Sequence, residues 1–157
     1  MLKLKPMTEA EYAAYCDAAL ASYAESHVKG GRWTKEEAIE QAWAEHQQIL
    51  PQGLQTPHHY LYTLFSDVHA CNVGILWFAD MTGTQNETAF VYDIEIKPEH
   101  RRHGFARMAF LEMEKQVKAI GLKYISLHVF AHNHGAVHLY EKLGYQPTNI
   151  RMRKALV

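Results

Sequence analysis

Residues 96–107 read Ile96-Lys97-Pro98-Glu99-His100-Arg101-Arg102-His103-Gly104-Phe105-Ala106-Arg107, a basic turn between a strand-like and a helix-like stretch. The chemistry open to such a turn is anion binding. The first N–H groups of a helix have no intrahelical partner and sit at the positive end of its macrodipole. Gly104 and Ala106 leave room for oxygen atoms to approach the main chain, and Arg101, Arg102 and Arg107 add charge beside those donors. A solvated basic turn capping a helix has the same composition, so the turn alone does not name a ligand. It contains neither G-x-x-x-x-G-K-[ST] nor G-x-G-x-x-G.

A second group of reactive side chains lies just upstream. In regular strand alternation Asp93 and Glu95 share one face, and Tyr92, Ile94 and Ile96 the other. Two carboxylates on a largely apolar strand cost energy if buried dry, so a wet cleft is expected beside them. There one could hold a cationic substrate while the other relays a proton. An ordinary solvent-facing strand side is the alternative.

Eleven histidines raise the question of a metal. His132-x-His134-x-x-x-His138 has ligand-like spacing, with His134 and His138 one helical turn apart, but Cys16 and Cys71 supply no obvious fourth ligand. These read as surface histidines, and no metal is expected. Trp33, Trp43 and Trp77 read as core or cleft wall rather than as a base-stacking platform.

The elements that must position these groups follow from periodicity. Thr8 and Glu11 form a capping-box pattern, and Tyr12, Tyr15, Cys16, Ala19 and Tyr23 recur at helical spacing until Gly30-Gly31. Thr34 and Glu37 repeat the cap signal before a second helix marked by Ile39, Ala42, Trp43, His46 and Leu50 and ended by Pro51 and Gly53. Residues 59–65 and 73–78 predict two antiparallel strands joined by the polar stretch 66–70. Residues 81–86, with Thr82-Gly83-Thr84, read as a turn, and 89–96 as a third strand.

Phe110, Met113, Val117 and Ile120 then make a helical stripe stopped by Gly121. A strand over 124–130 follows, then a short helix through Ala136, Leu139, Tyr140 and Leu143, stopped by Gly144, and a last strand over 149–153. Strand–helix–strand suggests a parallel pair within a mixed sheet, so the fold class is α/β.

At 157 residues the chain suits a single domain spanning residues 1–157. With 48% apolar and 21% charged residues it reads as globular rather than disordered. A net charge of −1 argues against a nucleic-acid binder built on a broad basic face. Residues 1–7 lack the apolar core of a secretory signal, and no run approaches the roughly 18 apolar residues of a membrane span. Cys16 and Cys71 lack C-x-x-C spacing and read as reduced, buried thiols. A soluble, cytoplasmic protein is expected, with no membrane and no nucleic-acid partner.

Taken in order, strand, Arg101-x-x-Gly104-x-Ala106 and helix resemble the acetyl-CoA motif [QR]-x-x-G-x-[GA] of the GNAT (GCN5-related N-acetyltransferase) superfamily. Downstream, Asn133-x-x-Ala136-x-x-Leu139-Tyr140-Glu141-Lys142-x-Gly144-Tyr145 is similar to that family's second motif, N-x-x-A-x-x-L-Y-x-x-x-G-[FY]. The two motifs and the elements between them cover about residues 88–154, and the N-terminal helices fit the family order more loosely.

The resemblance implies the GNAT fold, a mostly antiparallel central sheet with a splayed parallel pair, flanked by helices. It implies acetyl-CoA as cosubstrate, with the main chain of Arg102, His103, Gly104, Phe105 and Ala106 cradling the pyrophosphate, Arg107 nearby, and Arg101 at the Gln/Arg position. Ile94 and Ile96 would contact the pantetheine arm and acetyl carbonyl through their backbone. Asn133 would contact the arm, a helix cap being its compatible alternative, and Tyr140 would protonate the departing thiolate, an alternative for Tyr140 being core packing. Asp93, Glu95 and His128 are the candidate bases. His128 lies five residues before Asn133, where some relatives acting on α-amines carry a glutamate, and an imidazole could serve there, a buried or hydrogen-bonded structural histidine being the alternative.

The activity implied is an acetyl-CoA-dependent N-acetyltransferase, an acyltransferase attacking directly in a ternary complex, with a primary amine of a small molecule or peptide as acceptor. In this family the N-terminal helices usually shape the acceptor pocket, here about residues 23–60 with Trp33, Glu37, Trp43, His58 and His59. A non-catalytic acyl-CoA sensor and a transferase for another acyl group are the alternatives. Family members often dimerise, so a homodimer is a further expectation.

Overall fold

Leu2-Lys3-Leu4-Lys5 alternates with period two, and in the computed structural model Leu2–Pro6 forms β1, a strand beyond those expected above. Residues 1–81 and 87–157 are described; apart from Met81, the turn expected at 81–86 lies outside them. The remaining elements are α1 (Glu9–Lys29), α2 (Ala38–Ile49), β2 (His59–Ser66), β3 (Cys71–Asp80), β4 (Thr88–Ile96), α3 (Phe105–Ile120), β5 (Tyr124–Leu127) and α4 (His134–Lys142). The chain divides into two compact units, Met1–Leu127 and His128–Val157.

The first unit holds a five-stranded sheet in the order β1-β2-β3-β4-β5. Neighbouring strands are antiparallel except β4 and β5, which run parallel. Among the described residues four helices accompany this sheet along the chain, so the fold is the mixed α/β expected.

One apolar layer joins Met7, Leu50, Leu61 and Trp77 with Tyr12, Tyr15, Ile49, Leu54, Ile75 and Tyr92. Against β1, β3 and β4 packs α3, whose Ala109, Phe110, Met113 and Val117 are buried. Each large side chain so removed from water contributes about 1.5–3 kcal/mol. Where α1 meets α2, the small residues Ala24, Ala38 and Ala42 allow close approach.

The helix signals of α1 hold in full. Thr8 Oγ1 accepts from the Glu11 N–H at 3.1 Å, Glu11 Oε1 accepts from the Thr8 N–H at 2.9 Å, and the helix stops at Gly30. The start of α2 differs from expectation. Glu37 accepts from the Thr34 N–H, but Thr34 returns no bond, and the helix begins only at Ala38. With half a capping box, residues 35–37 remain in turns.

Two β-bulges set the register of the sheet. Leu64 pairs with Gly74 and Phe65 with Asn72, leaving Val73 as an extra residue in β3. Trp77 pairs with Asp93 and Phe78 with Val91, leaving Tyr92 extra in β4. The second bulge corrects the strict alternation expected of β4. Tyr92 packs in the same layer as Tyr15, and Tyr15 also bonds Asp93, so Tyr92 and Asp93 turn toward one side.

The same irregularity explains why β5 ends at Leu127 instead of running to 130. The last β4–β5 pair is Val91 with Leu127, immediately before the bulge, and β4 continues for five residues beyond it. That is the divergence expected of a splayed parallel pair.

In the second unit α4 is the regular element, and it starts on the Asn133 cap. The strand expected at 149–153 is absent: residues 145–157 carry no regular structure. A strand needs a ladder partner for its backbone groups, and this unit has no other strand to offer one. No helix among the described residues is long and apolar enough to cross a membrane.

Candidate active site

The basic turn is built on a fixed strand end. The Lys97 N–H donates to the Val73 carbonyl at 2.8 Å, and Pro98–His100 makes one 3-10 turn. Arg101 is extended, Arg102 is left-handed at φ 66°, and Gly104 is left-handed at φ 77° before α3 begins at Phe105. A non-glycine residue in that region costs roughly 1–2 kcal/mol, which the surrounding structure must offset at Arg102.

Gly104 caps α3 without a side chain, so the N-cap residue itself offers no acceptor to the first N–H groups of the helix. A β-carbon on Gly104 would meet no atom within 4 Å, so the turn is open on that side. An anion can therefore approach main-chain donors that the protein itself leaves uncapped. The turn fits a phosphate-bearing ligand on these grounds.

Phe105 anchors the turn from inside. Its side chain is buried, with the rings of His69, His100 and His103 at 5.4, 6.5 and 5.8 Å, and Cys71 Sγ lies 3.7 Å from His100 Nε2. Only the main chain of Phe105 is thus available to a ligand. Arg101, Arg102, His103 and Arg107 are exposed, and Ala106 is half-buried. The Arg101 Nε donates to the Ile96 carbonyl at 2.9 Å, tying the turn to the end of β4 and occupying one of the backbone groups expected to meet the ligand's arm.

Along β4, the two carboxylates expected to act together differ sharply. Glu95 is exposed. Asp93 is half-buried, and the phenol of Tyr15 on α1 donates to its Oδ2 at 2.7 Å. Burial raises the Asp93 carboxyl above its ordinary value and the charge of Glu95 adds to this, while Tyr15 and the Ile94 N–H pull the other way. The net upward direction makes this carboxylate a better proton acceptor than a solvated one. The Tyr15 hydroxyl is itself pushed up by burial and by Asp93, so it remains the donor.

Beside Asp93 lies an aromatic group. Trp77 and Tyr92 stack at 4.5 Å with a 15° interplanar angle, and Trp77 Nε1 donates to His59 Nδ1 at 3.0 Å. That bond requires an unprotonated Nδ1, and burial, with His58 nearby, lowers the His59 pKa accordingly. Of the residues expected to line an acceptor pocket, His59 alone joins this group. Trp33 packs with Tyr23 and His27, Trp43 is 48% exposed, Glu37 precedes α2, and His58 faces Asp80 at 3.7 Å.

In the second unit, Asn133 Oδ1 accepts from the Ala136 N–H at 3.3 Å, the helix cap given above as its alternative role. Tyr140 is half-buried on α4, its ring 6.0 Å from that of Tyr145. His128 is exposed, packs edge-on against Phe130 at 5.0 Å and follows β5 rather than lying on it, which corrects its expected strand position. Among the described residues no three His, Cys, Asp or Glu side chains are grouped so as to hold a metal ion. Cys16 and Cys71 are free thiols, the first buried and the second half-buried.

Three supporting residues escape sequence reasoning. Tyr15 read only as part of a helical apolar stripe, and its bond to Asp93 spans 78 positions. His69 and His100 pack edge-on against Phe105 below the turn with no motif to mark them. The surplus of aromatic and histidine residues was the only available signal.

Residues 17–145 match the acetyltransferase (GNAT) family. YdgE of Bacillus subtilis, described as an uncharacterized N-acetyltransferase, is 36% identical over 154 residues, covering 98% of this chain and 97% of its own. YycN of the same organism, also described so, is 36% identical over 155 residues, 99% of each chain. The crystal structure of YycN superposes with a TM-score of 0.89 at 35% identity, covering 100% of this chain and 99% of that one. A more distant fold neighbour is spermidine N-acetyltransferase from Vibrio cholerae, solved with CoA and spermine, at TM-score 0.63 and 20% identity over 91% of this chain and 79% of that one. With its sheet, its uncapped turn and these likenesses together, the chain belongs to the GNAT family of acetyltransferases.

Proposed function

We propose that this acetyltransferase takes its acetyl group from acetyl-CoA and passes it to a primary amine, of a small molecule or a peptide, by direct attack in a ternary complex. The observation carrying this reading is the open, side-chain-free start of α3 behind two left-handed residues, Arg102 and Gly104. The coenzyme supplies an acetyl group activated as a thioester. The main chain of residues 102–106 would hold its pyrophosphate, with Arg107 and the terminal nitrogens of Arg101 adding charge.

Beyond the bulge, the backbone of Ile94 would face the pantetheine arm, and by motif Asn133 would do so as well. Tyr140, at its motif position, would donate a proton to the sulfur as the acetyl group leaves. The fold neighbour solved with CoA and spermine supports a CoA donor and an amine acceptor.

An amine attacks only when neutral. At pH 7 deprotonating an ordinary lysine amine costs about 4–5 kcal/mol and an α-amine about 1 kcal/mol. Of the three candidate bases, Asp93 has the environment the task asks for: half-buried, raised in pKa, and bonded to α1. Glu95 would then hold the incoming cation.

The test is thiol release from acetyl-CoA with a panel of polyamines, aminoglycosides and peptide amines, with propionyl- and succinyl-CoA beside it. Turnover with one amine class and acetyl-CoA supports the reading. Coenzyme binding without turnover of any amine would replace it with a sensor.

A further inference from the structure

The bond from Tyr15 to Asp93 joins α1 to β4 at the one carboxylate the bulge turns into the aromatic layer. We infer that Tyr15 is a positioning residue for acetyl transfer: its phenol commits Oδ2 of Asp93 and fixes that side chain's rotamer, so that the amine proton is received on the other carboxylate oxygen. The inference rests on Asp93 being the base.

Three features argue for it. The bond is well formed, at 2.7 Å, and its donor comes from a helix rather than a neighbouring strand position. Tyr15 is held in place by the Met7, Leu50, Leu61 and Trp77 layer, so its hydroxyl is a fixed donor and not a mobile one. A half-buried carboxylate without such a donor would be free to turn toward water, losing alignment with an acceptor amine.

The groups around Asp93 are few. Tyr15, with Cys16 beside it, faces it from α1, Glu95 and the Ile94 N–H from β4, and uncharged Trp77 is opposite in register on β3, with His59 of β2 beyond it. Among the described residues Tyr15 is therefore the one side-chain donor acting on this carboxylate, and Glu95 the one like charge.

The experiment follows the Asp93 carboxyl carbon by NMR in protein labelled with carbon-13 aspartate, the signal assigned with Asp93→Asn. In Tyr15→Phe the titration midpoint of Asp93 should rise by about 1 unit, because a donor to the charged form is lost. The acid limb of kcat/KM for the amine should rise with it, while KM for acetyl-CoA stays unchanged. Replacing tyrosine with 3-fluorotyrosine keeps the ring and strengthens the donor, and should move the midpoint down. If Tyr15→Phe does not fold, the fluorotyrosine protein decides the matter.

An unmoved midpoint in a folded variant overturns the inference, since a purely structural tyrosine would lower activity without moving it. If Asp93→Asn leaves the acid limb intact, the base assignment itself fails. If it abolishes the limb while Tyr15→Phe moves neither limb nor midpoint, only the role of Tyr15 fails.

Discussion

The carbonyl oxygen of Glu95 occupies the place a side chain on Gly74 would need: a β-carbon there would lie 2.1 Å from it. β3 and β4 are thus pressed together at the end of the strand that carries the turn. The Ile96 carbonyl that receives Arg101 is one residue further along.

Gly74→Ala must therefore displace the backbone at Glu95 and Ile96, because a carbonyl cannot yield as a flexible side chain does. A destabilisation of about 1–3 kcal/mol is expected, of the size seen on overfilling a packed core. Coenzyme A affinity should fall by about tenfold, equivalent to 1.4 kcal/mol, as the turn shifts with the strand. Thermal unfolding and calorimetric titration with coenzyme A measure the two effects separately.

Gly104→Ala tests the turn by a different route. The new methyl meets no protein atom, but φ of 77° becomes strained, costing about 1–2 kcal/mol of stability. The methyl also projects into the side proposed for phosphate. Binding of coenzyme A should weaken by more than in Arg107→Ala, which removes only an exposed charge. Equal losses in the two variants would assign the ligand's hold to charge and not to main-chain donors.

Tyr140→Phe removes the proposed proton donor without changing the shape of α4. A fall of about 10²–10⁴-fold in kcat is expected, the range for general acid–base groups, with coenzyme A affinity within a few-fold of wild type. Steady-state rates and calorimetry on the same preparation check both. A kcat within threefold of wild type would return Tyr140 to a packing role.

Asp93 carries a cost in stability that follows from its environment. Its folded pKa is raised, chiefly by burial, so its favourable contribution is complete below the ordinary carboxyl value of 3.8 and is lost as pH rises through the raised value. Asp93→Asn, which stays neutral and can still accept from Tyr15, should melt higher than wild type at pH 8. The gap should close as pH falls below 3.8, read from melting curves across pH. A variant less stable at pH 8 would show that the carboxylate is stabilised as an ion.

Helix starts and stops were legible in the residues because they depend on neighbours three or four positions apart. Thr8 with Glu11 and Asn133 with Ala136 cap the helices they should, and Gly30 and Gly121 end theirs. Where only half of that local chemistry forms, as at Thr34 and Glu37, the start moved to Ala38. β1 was missed, because two alternating leucines in a strand of five residues are a weak signature.

Order along the chain carried the family, the turn at Arg101 and the positions of Asn133 and Tyr140, since a backbone anion site needs only a few residues in sequence. Long-range register carried the rest. An extra residue at Tyr92 is a property of two strands paired together, so no reading of β4 alone could place Asp93 against α1 or end β5 at Leu127. The bond between Tyr15 and Asp93 has the same origin: residues 78 positions apart meet only when packing has been completed, and that meeting separates the half-buried carboxylate from the exposed one.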